Sequence, residues 1–453
     1  MTHSLRCGSR YRSWCGMVAA LWLMAAPAGA QVSTLSVSGR TNANPTVAAR
    51  DDFMAVAWSA ATVSSMDIYV ATSRDAGRTW SAPVRVNQTV GDARVNGEQP
   101  PRVVLVPSKS GAPAIVVVWT AKRGSDTRLL WARSTNGGVS FGPTSIVPGS
   151  DAAGARGWQS ATVDGAGRVS VLWLDHRGLA GTASTHMHGA GAGAASGAMS
   201  GATSGAMSGA AAGSAAGATA PAADPTERAG LSQVMMSSLD GTQAVSIARS
   251  VCYCCKTSIA TVGTSQYAVW RHVYPGSQRD MALAVSRDRG RTFAAPVRVS
   301  EDHWQLDGCP DNGPSVAVDA QRDVHVVWPA PADGKPTSPL SVFYARSRDG
   351  AAFTPRMRVP TRGPAGHVQV VVTPDGAPLL AWDEVVGDAR VLGMARITRS
   401  ANGAPVVTPL AAPDTGAGQW YPALASRRRG VFAVWVRQQG GGSVIGVARV
   451  TGW

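Results

Sequence analysis

Residues 73–80 read SRDAGRTW, with a serine, an aspartate, a glycine and an aromatic residue at fixed spacing. Three later segments repeat this arrangement: STNGGVSF at 134–141, SRDRGRTF at 286–293 and, shortened, SRDGAAF at 347–353. In such a turn the carboxylate or amide caps backbone N–H groups, the glycine supplies a positive φ, and the aromatic ring packs beneath the next strand. We therefore predict four equivalent turns whose structural residues are Asp75, Asn136, Asp288 and Asp349.

A second repeat accompanies these turns, a short apolar run that ends in tryptophan. The seven tryptophans are Trp58, Trp119, Trp173, Trp270, Trp328, Trp382 and Trp435. Their spacing is about 53 to 61 residues, except for one interval of about 97 residues that holds a Gly/Ala/Ser/Met-rich tract. Seven such units, each with room for four short strands, predict an all-β fold, a seven-bladed β-propeller.

The ring of blades needs a closing strand. The last unit, residues 421–450, accounts for only three strands. Residues 34–39, before the first unit, are predicted to supply the fourth strand. That pairing would close the ring and remove both free sheet edges.

The spacing S-x-D-x-G-x-T-W resembles the Asp-box, or BNR, repeat of the sialidase-superfamily propellers, and the resemblance covers nearly all of the chain after residue 30. It implies a propeller with six blades as the alternative to seven, because sialidases have six. It also implies an alternative function, that of an exo-α-sialidase-type glycoside hydrolase. Residues 38–42 read SGRTN, so only an arginine is shared with the family's early Phe/Tyr-Arg-Ile-Pro segment.

Sialidases use a tyrosine nucleophile activated by a carboxylate, an acid/base aspartate and a three-arginine clasp. The resemblance assigns these catalytic roles, if the chain is a hydrolase, to the following residues: Tyr421, Glu384, Asp383, Arg271 and Arg279. Because this set is an incomplete clasp, we expect little or no hydrolysis of sialosides.

Residues 1–30 have the form of a secretory signal, with a basic start, an apolar run and the small residues Ala28, Gly29 and Ala30. This predicts a periplasmic or secreted protein. Residues 31–453 are predicted to form one propeller domain, with residues 182–230 a low-complexity insertion in blade three. No later run is long and apolar enough to span a membrane.

The formal net charge is +14, but the arginines are scattered singly through turns and form no basic stripe. This distribution, together with export, argues against a nucleic-acid partner. We expect a monomer whose ligand is a small molecule, a glycan or a metal ion at the upper face.

Four cysteines lie beyond residue 30: Cys252, Cys254, Cys255 and Cys309. Propeller topology places all four on loops that precede neighbouring inner strands. They can form two disulfides of undetermined pairing, as is usual after export. They can instead bind copper or another soft metal, with His303, His367 or the segment His186-Met187-His188 completing the ligand set. A redox-active thiol pair is the third possibility.

The sequence therefore favours a ligand-binding or soft-metal-binding propeller over an active hydrolase. A protein-interaction scaffold with structural disulfides is a further alternative. The identity of any cofactor is left open between copper and other soft metals.

Overall fold

The computed structural model describes residues 32–109, 111–180, 225–241, 243–306, 308 and 310–453. Strands dominate this part of the chain and form seven four-stranded antiparallel sheets. The innermost strands are β2 (Thr41–Arg50), β6 (Arg102–Val106), β10 (Arg156–Val163), β14 (Ser258–Val262), β18 (Ser315–Val318), β22 (Ala365–Val372) and β26 (Gln419–Arg427). Each innermost strand contacts the next around the ring, and β26 contacts β2, so the ring is closed.

The outer strands of each sheet follow in chain order. The second strands are β3 (Phe53–Ala61), β7 (Ala114–Arg123), β11 (Val169–Asp175), β15 (Ser265–Tyr274), β19 (Asp323–Pro331), β23 (Pro378–Val386) and β27 (Gly430–Gln439). The third strands are β4 (Met66–Ser73), β8 (Asp126–Ser134), β12 (Gln233–Ser238), β16 (Gln278–Ser286), β20 (Leu340–Arg348), β24 (Ala389–Arg399) and β28 (Gly442–Val450). The fourth strands are β5 (Val84–Arg85), β9 (Ser145–Ile146), β13 (Val245–Arg249), β17 (Val297–Arg298), β21 (Met357–Val359), β25 (Pro405–Leu410) and β1 (Ser33–Leu35).

The predicted seven-bladed propeller is confirmed, and the six-bladed alternative is wrong. All seven repeated tryptophans lie on second strands and are buried, because these strands lie between neighbouring blades and are buried at nearly every residue. Trp382 and Trp435 each lie across a glycine of the adjacent third strand, where a Cβ would come within 2.5 Å of the indole ring. The core is therefore a ring of interfaces between blades.

Closure by the N-terminal segment is also confirmed, with a different boundary. β1 covers Ser33–Leu35 and pairs antiparallel with β28, whereas residues 36–39 form the turn that follows it. Leu35 is buried in the cluster that joins the last blade to the first, beside Trp58 and Val434. One short strand therefore joins the two ends of the chain.

We call the face where the innermost strands begin the upper face, and the opposite one the lower face. Three of the predicted turns on the lower face form the expected capping network. In the first, Asp75 Oδ1 accepts the Thr79 N–H at 2.9 Å, and the Gly77 N–H donates to Ser73 Oγ at 2.8 Å. Asp288 and Asn136 accept the equivalent amides of their own turns.

The fourth turn differs because it is one residue shorter. Asp349 has a φ of 52° and is followed by Gly350 at 85°, so Asp349 occupies the left-handed position that Arg289 occupies in the preceding copy. Among the described residues no side-chain hydrogen bond joins Asp349 to its turn. Asp349 therefore supplies the left-handed backbone conformation of the turn and does not cap its amides.

Replacing Asp288 by alanine should lower the free energy of unfolding by about 1 to 2 kcal/mol, because two backbone amides and two hydroxyls lose their acceptor. The Thr292 hydroxyl bond is the largest cause that lowers the pKa of Asp288 to about 2. This contribution is therefore present above the unfolded-state pKa and is lost as pH falls towards 2. Urea unfolding measures it, with Arg291→Ala, an exposed side chain in the same turn, as the control. Equal losses in the two variants would contradict the capping role.

The low-complexity insertion lies mostly outside the described residues, as do its segment His186-Met187-His188, the predicted signal segment and Cys309. Its last part forms a short helix, α1 (Pro225–Leu231), whose Ala229 is fully buried. Among the described residues, no helix has the length and apolar character that crossing a membrane requires.

Candidate functional site

Residues 250–257, which we call the cysteine loop, connect blade three to blade four at the upper face. The loop runs along the end of β15, where the Cys252 N–H donates to the Arg271 carbonyl at 2.9 Å and Val251 pairs with His272. Its other end is held by blade three, because the Thr257 N–H donates to the Trp158 carbonyl at 3.0 Å. Backbone bonds to both blades fix the position of the loop.

Three cysteine sulfurs gather in this loop. The Sγ atoms of Cys252, Cys254 and Cys255 all lie within 4.8 Å of one another, and those of Cys252 and Cys254 are 3.8 Å apart. All three side chains are buried, with at most 7% exposure. Cys252 and Cys255 are free thiols, whereas Cys254 is not free. The loop thus presents two thiols and a third sulfur in one apolar cluster.

His303 and His367, two of the predicted ligands, lie elsewhere. The side chain of His303 is 63% exposed, and its Nε2 lies 3.8 Å from Glu301. His367 lies at the propeller axis and pairs with Asp383. Neither histidine belongs to the group of clustered sulfurs in the described part of the chain.

The pKa values of the two free thiols are shifted in opposite directions. Burial alone raises the pKa of Cys252, but the hydrogen bond with Cys255 and the charges of Arg279 and Arg271 bring it down to about 6. Burial and the neighbouring Cys252 raise the pKa of Cys255 well above its usual value. The pair therefore holds one thiolate more readily than two.

Arg271 and Arg279, the residues expected to clasp a substrate carboxylate, are buried behind the cysteine loop. Arg271 donates to the carbonyls of Asn312, Arg279 and Pro329 and lies 4.8 Å over the Trp304 ring. It is therefore held as a structural cation.

Arg279 is less completely bonded. Its Nε donates to the Leu306 carbonyl at 3.0 Å, and its guanidinium lies 6.0 Å from the centre of the Tyr253 ring. Among the described residues, neither buried terminal nitrogen of Arg279 has a hydrogen-bond partner. A fully buried guanidinium with two unused donor nitrogens therefore lies beside the residue between Cys252 and Cys254.

Two histidines near the loop were missing from the predicted ligand set. His176 hydrogen-bonds the Tyr253 backbone, and its Nε2 is buried without a hydrogen-bond partner. Burial lowers the pKa of both His176 and His272 to about 4, so both are neutral at pH 7. The available signal was position, because each follows a repeated tryptophan by two or three residues and so lies on the upper face.

A second group of polar residues lies at the axis. The innermost strands of blades one, three, six and seven each contain a register shift next to a residue of positive φ. These four residues are Asn44, Trp158, His367 and Tyr421, with φ between 49° and 56°. Such bulges re-aim side chains. Three of the four, all but Trp158, line a cavity that we call the central mouth.

Asp383 organises one side of the central mouth. Its Oδ2 accepts the Tyr421 N–H at 2.8 Å and lies 2.8 Å from His367 Nδ1. The rings of His367 and Tyr421 are 4.2 Å apart, and burial is the largest cause that raises the Tyr421 pKa. Glu384, the other predicted partner of Tyr421, instead binds Arg362 at 2.6 Å.

Lys256 connects the cysteine loop to the central mouth. Its Nζ donates to the Val368 carbonyl at 3.3 Å and lies 3.8 Å from Glu98 Oε1, and both side chains are buried. A Cβ on Gly97 would lie 2.0 Å from the Tyr421 ring, so the loop before blade two packs directly on that ring. The remaining cavity is about 20 Å³, the size of one water molecule.

No family model matches this chain, and no curated protein matches it. Among solved structures, a polysaccharide lyase of family PL25, an ulvan lyase, is 10% identical with a TM-score of 0.53 and covers 91% of this chain and 94% of its own. An α-L-arabinofuranosidase of Fusarium graminearum is 12% identical with a TM-score of 0.49 over 93% and 97% of the two chains. Trypanosoma rangeli sialidase is 12% identical with a TM-score of 0.43 over 90% and 55%. At these identities the likeness is one of fold.

Proposed function

We propose that this propeller binds a soft metal ion, with copper(I) the first candidate, through the thiolates of Cys252 and Cys255. The observation that carries the proposal is the pair of free, buried thiols in a group of three sulfurs no more than 4.8 Å apart. Thiolate ligands favour soft ions such as copper(I). A closed propeller of seven blades does not need so compact a group of sulfurs for its stability.

The sulfur spacing fits a metal ion. Two metal–sulfur bonds of about 2.3 Å place their sulfurs about 3.8 Å apart at a tetrahedral angle and about 4.6 Å apart in a line. Both separations fall within the 4.8 Å limit of the group. The sulfurs pack in a core cluster with Trp158, Leu172 and Val251.

We further propose that Cys254 is bonded to Cys309. Cys254 is not one of the free cysteines among the described residues, and Cys309 is the remaining cysteine after residue 30. A disulfide of this kind would join the loops that precede blades four and five. It would leave Cys252 and Cys255 as the ligands, and it agrees with export to the periplasm or beyond.

The test combines a thiol count with elemental analysis of protein purified anaerobically from the periplasm. We expect two free thiols in the metal-free protein and close to one equivalent of copper after reconstitution. Absence of both thiols and metal would mean two plain disulfides and would overturn the proposal. Two free thiols without any bound soft metal would instead support a redox pair.

A glycan-cleaving enzyme is the second candidate, and the grouping of His367, Asp383 and Tyr421 favours it. The similar lyase acts on a polysaccharide. Against a sialidase, Arg271 and Arg279 are buried behind the cysteine loop and do not line the central mouth.

We therefore expect no turnover of a fluorogenic sialoside, because the described residues that line the mouth include one arginine, Arg102, and not a clasp of three. The assay is run beside Tyr421→Phe and, as a control for the loss of a buried hydroxyl, Tyr344→Phe. Turnover that disappears only in Tyr421→Phe would establish the hydrolase. Neither turnover nor metal, with a partner recovered from periplasmic extract, would indicate an interaction scaffold.

A further inference from the structure

Two positive charges are buried behind the sulfurs. Arg271 and Arg279 are at most 1% exposed, and they lie on adjacent strands, since Arg271 Nη1 donates to the Arg279 carbonyl at 2.8 Å. The Arg271 carbonyl in turn accepts the Cys252 N–H. Among the described residues no carboxylate forms an ion pair with either guanidinium, although buried cations normally have such a partner. The Cys252 thiol interacts electrostatically with both guanidinium groups, whereas Asp280, which also acts on Arg271, is already paired with Arg298.

We propose that Arg271 and Arg279 make the cysteine site selective for monovalent soft cations over divalent ones. The inference rests on the proposed function, because it concerns which ion the thiolates of Cys252 and Cys255 accept. It identifies the ligand class as copper(I) or silver(I), and it excludes zinc(II) and cadmium(II).

The reason is the charge of the loaded site. Two thiolates carry two negative charges, which the two guanidinium groups already neutralise. A monovalent ion then leaves one uncompensated positive charge, and a divalent ion leaves two. The cost of a buried charge rises steeply with its magnitude, so the divalent complex is penalised more. Without the arginines the electrostatic contribution would reverse, because a bare dithiolate attracts the divalent ion more strongly by charge alone.

Arg279 is the residue to alter. Arg271 supports the backbone of three segments through its carbonyl contacts, whereas Arg279 makes one such bond and leaves both terminal nitrogens without a partner. Arg279→Gln removes the charge, and Arg279→Lys keeps it. This pair separates charge from packing.

The experiment measures silver(I) and cadmium(II) affinities of the reduced full-length protein by competition with dithiothreitol under nitrogen. Both ions are soft, so their difference reports charge. For charges roughly 6 to 10 Å apart at an effective dielectric constant of about 20, one elementary charge changes relative affinity about tenfold to a hundredfold. We expect the wild-type silver-to-cadmium preference to exceed that of dithiothreitol by at least this factor. We expect Arg279→Gln to lose it and Arg279→Lys to retain it.

Each outcome is decisive. A wild-type preference equal to or below that of dithiothreitol overturns the inference, even if Arg279→Gln fails to fold. An unchanged preference in a folded Arg279→Gln protein overturns it as well. Failure of wild type to bind either ion would overturn the proposed function together with the inference, whereas tight but unselective binding would overturn only the inference.

Discussion

Replacing both Cys252 and Cys255 by serine is expected to weaken soft-metal binding by at least about a thousandfold. A structural metal site contributes about 10 to 16 kcal/mol through all of its ligands, so loss of both anionic sulfurs removes most of that energy. Serine keeps the size of the side chain but offers a hard hydroxyl that remains protonated. The measurement is competition with a copper(I) chelator, performed anaerobically on the full-length protein.

Cys254→Ser is the matched control, because it makes the same substitution in the same loop. It should retain soft-metal binding and lose stability, since Cys254 is not one of the free thiols. Equal loss of metal in Cys254→Ser and in the double variant would contradict the assignment of Cys252 and Cys255 as the ligands. Near-ultraviolet circular dichroism of each variant would establish that the loop still folds.

A chain that begins at Ser36, and so lacks β1, is expected to lose about 3 to 5 kcal/mol of unfolding free energy. Burial of Leu35 accounts for about 2 kcal/mol, and the backbone pairing with β28 accounts for most of the rest. The truncation also exposes β28 as a free edge, which favours association between molecules. Thermal unfolding should shift down by about 5 °C or more.

Thr34→Asp is the control for this truncation. Thr34 is the exposed residue of the same strand, so its substitution should leave the melting temperature nearly unchanged. A truncated chain that melts with wild type would mean that β1 does not hold the ring closed. A second readout is size-exclusion chromatography, in which only the truncated chain should show larger species.

Local and periodic features could be predicted from the sequence. The tryptophan repeat and the capped turns each depend on a few adjacent residues, so Asp75, Asn136 and Asp288 reveal their turns without any distant contact. A repeat of fixed length then implies the number of blades. The strand that closes the ring was also predictable, because the last unit lacked one.

The sequence predicts that the cysteines lie on neighbouring loops, but it does not predict which charged residues are buried around them. The resemblance to sialidases assigned Arg271 and Arg279 to a substrate clasp, yet β15 and β16 extend as a hairpin that buries both. Their partners are the carbonyls of Asn312 and Leu306, and no local sequence pattern predicts these hydrogen bonds. The same holds for Lys256, which crosses the axis to Glu98.

Sequence alone thus determined the propeller, its closure and the loops that reach the upper face, because these follow from period and turn chemistry. Only the tertiary structure decided which charges are buried and which side chains meet. Asp383 rather than Glu384 contacts Tyr421, and His303 lies exposed, away from the sulfurs. The physical reason is that burial of a charge depends on carbonyls and rings supplied by other blades, and contacts between blades leave no trace in the local order of residues.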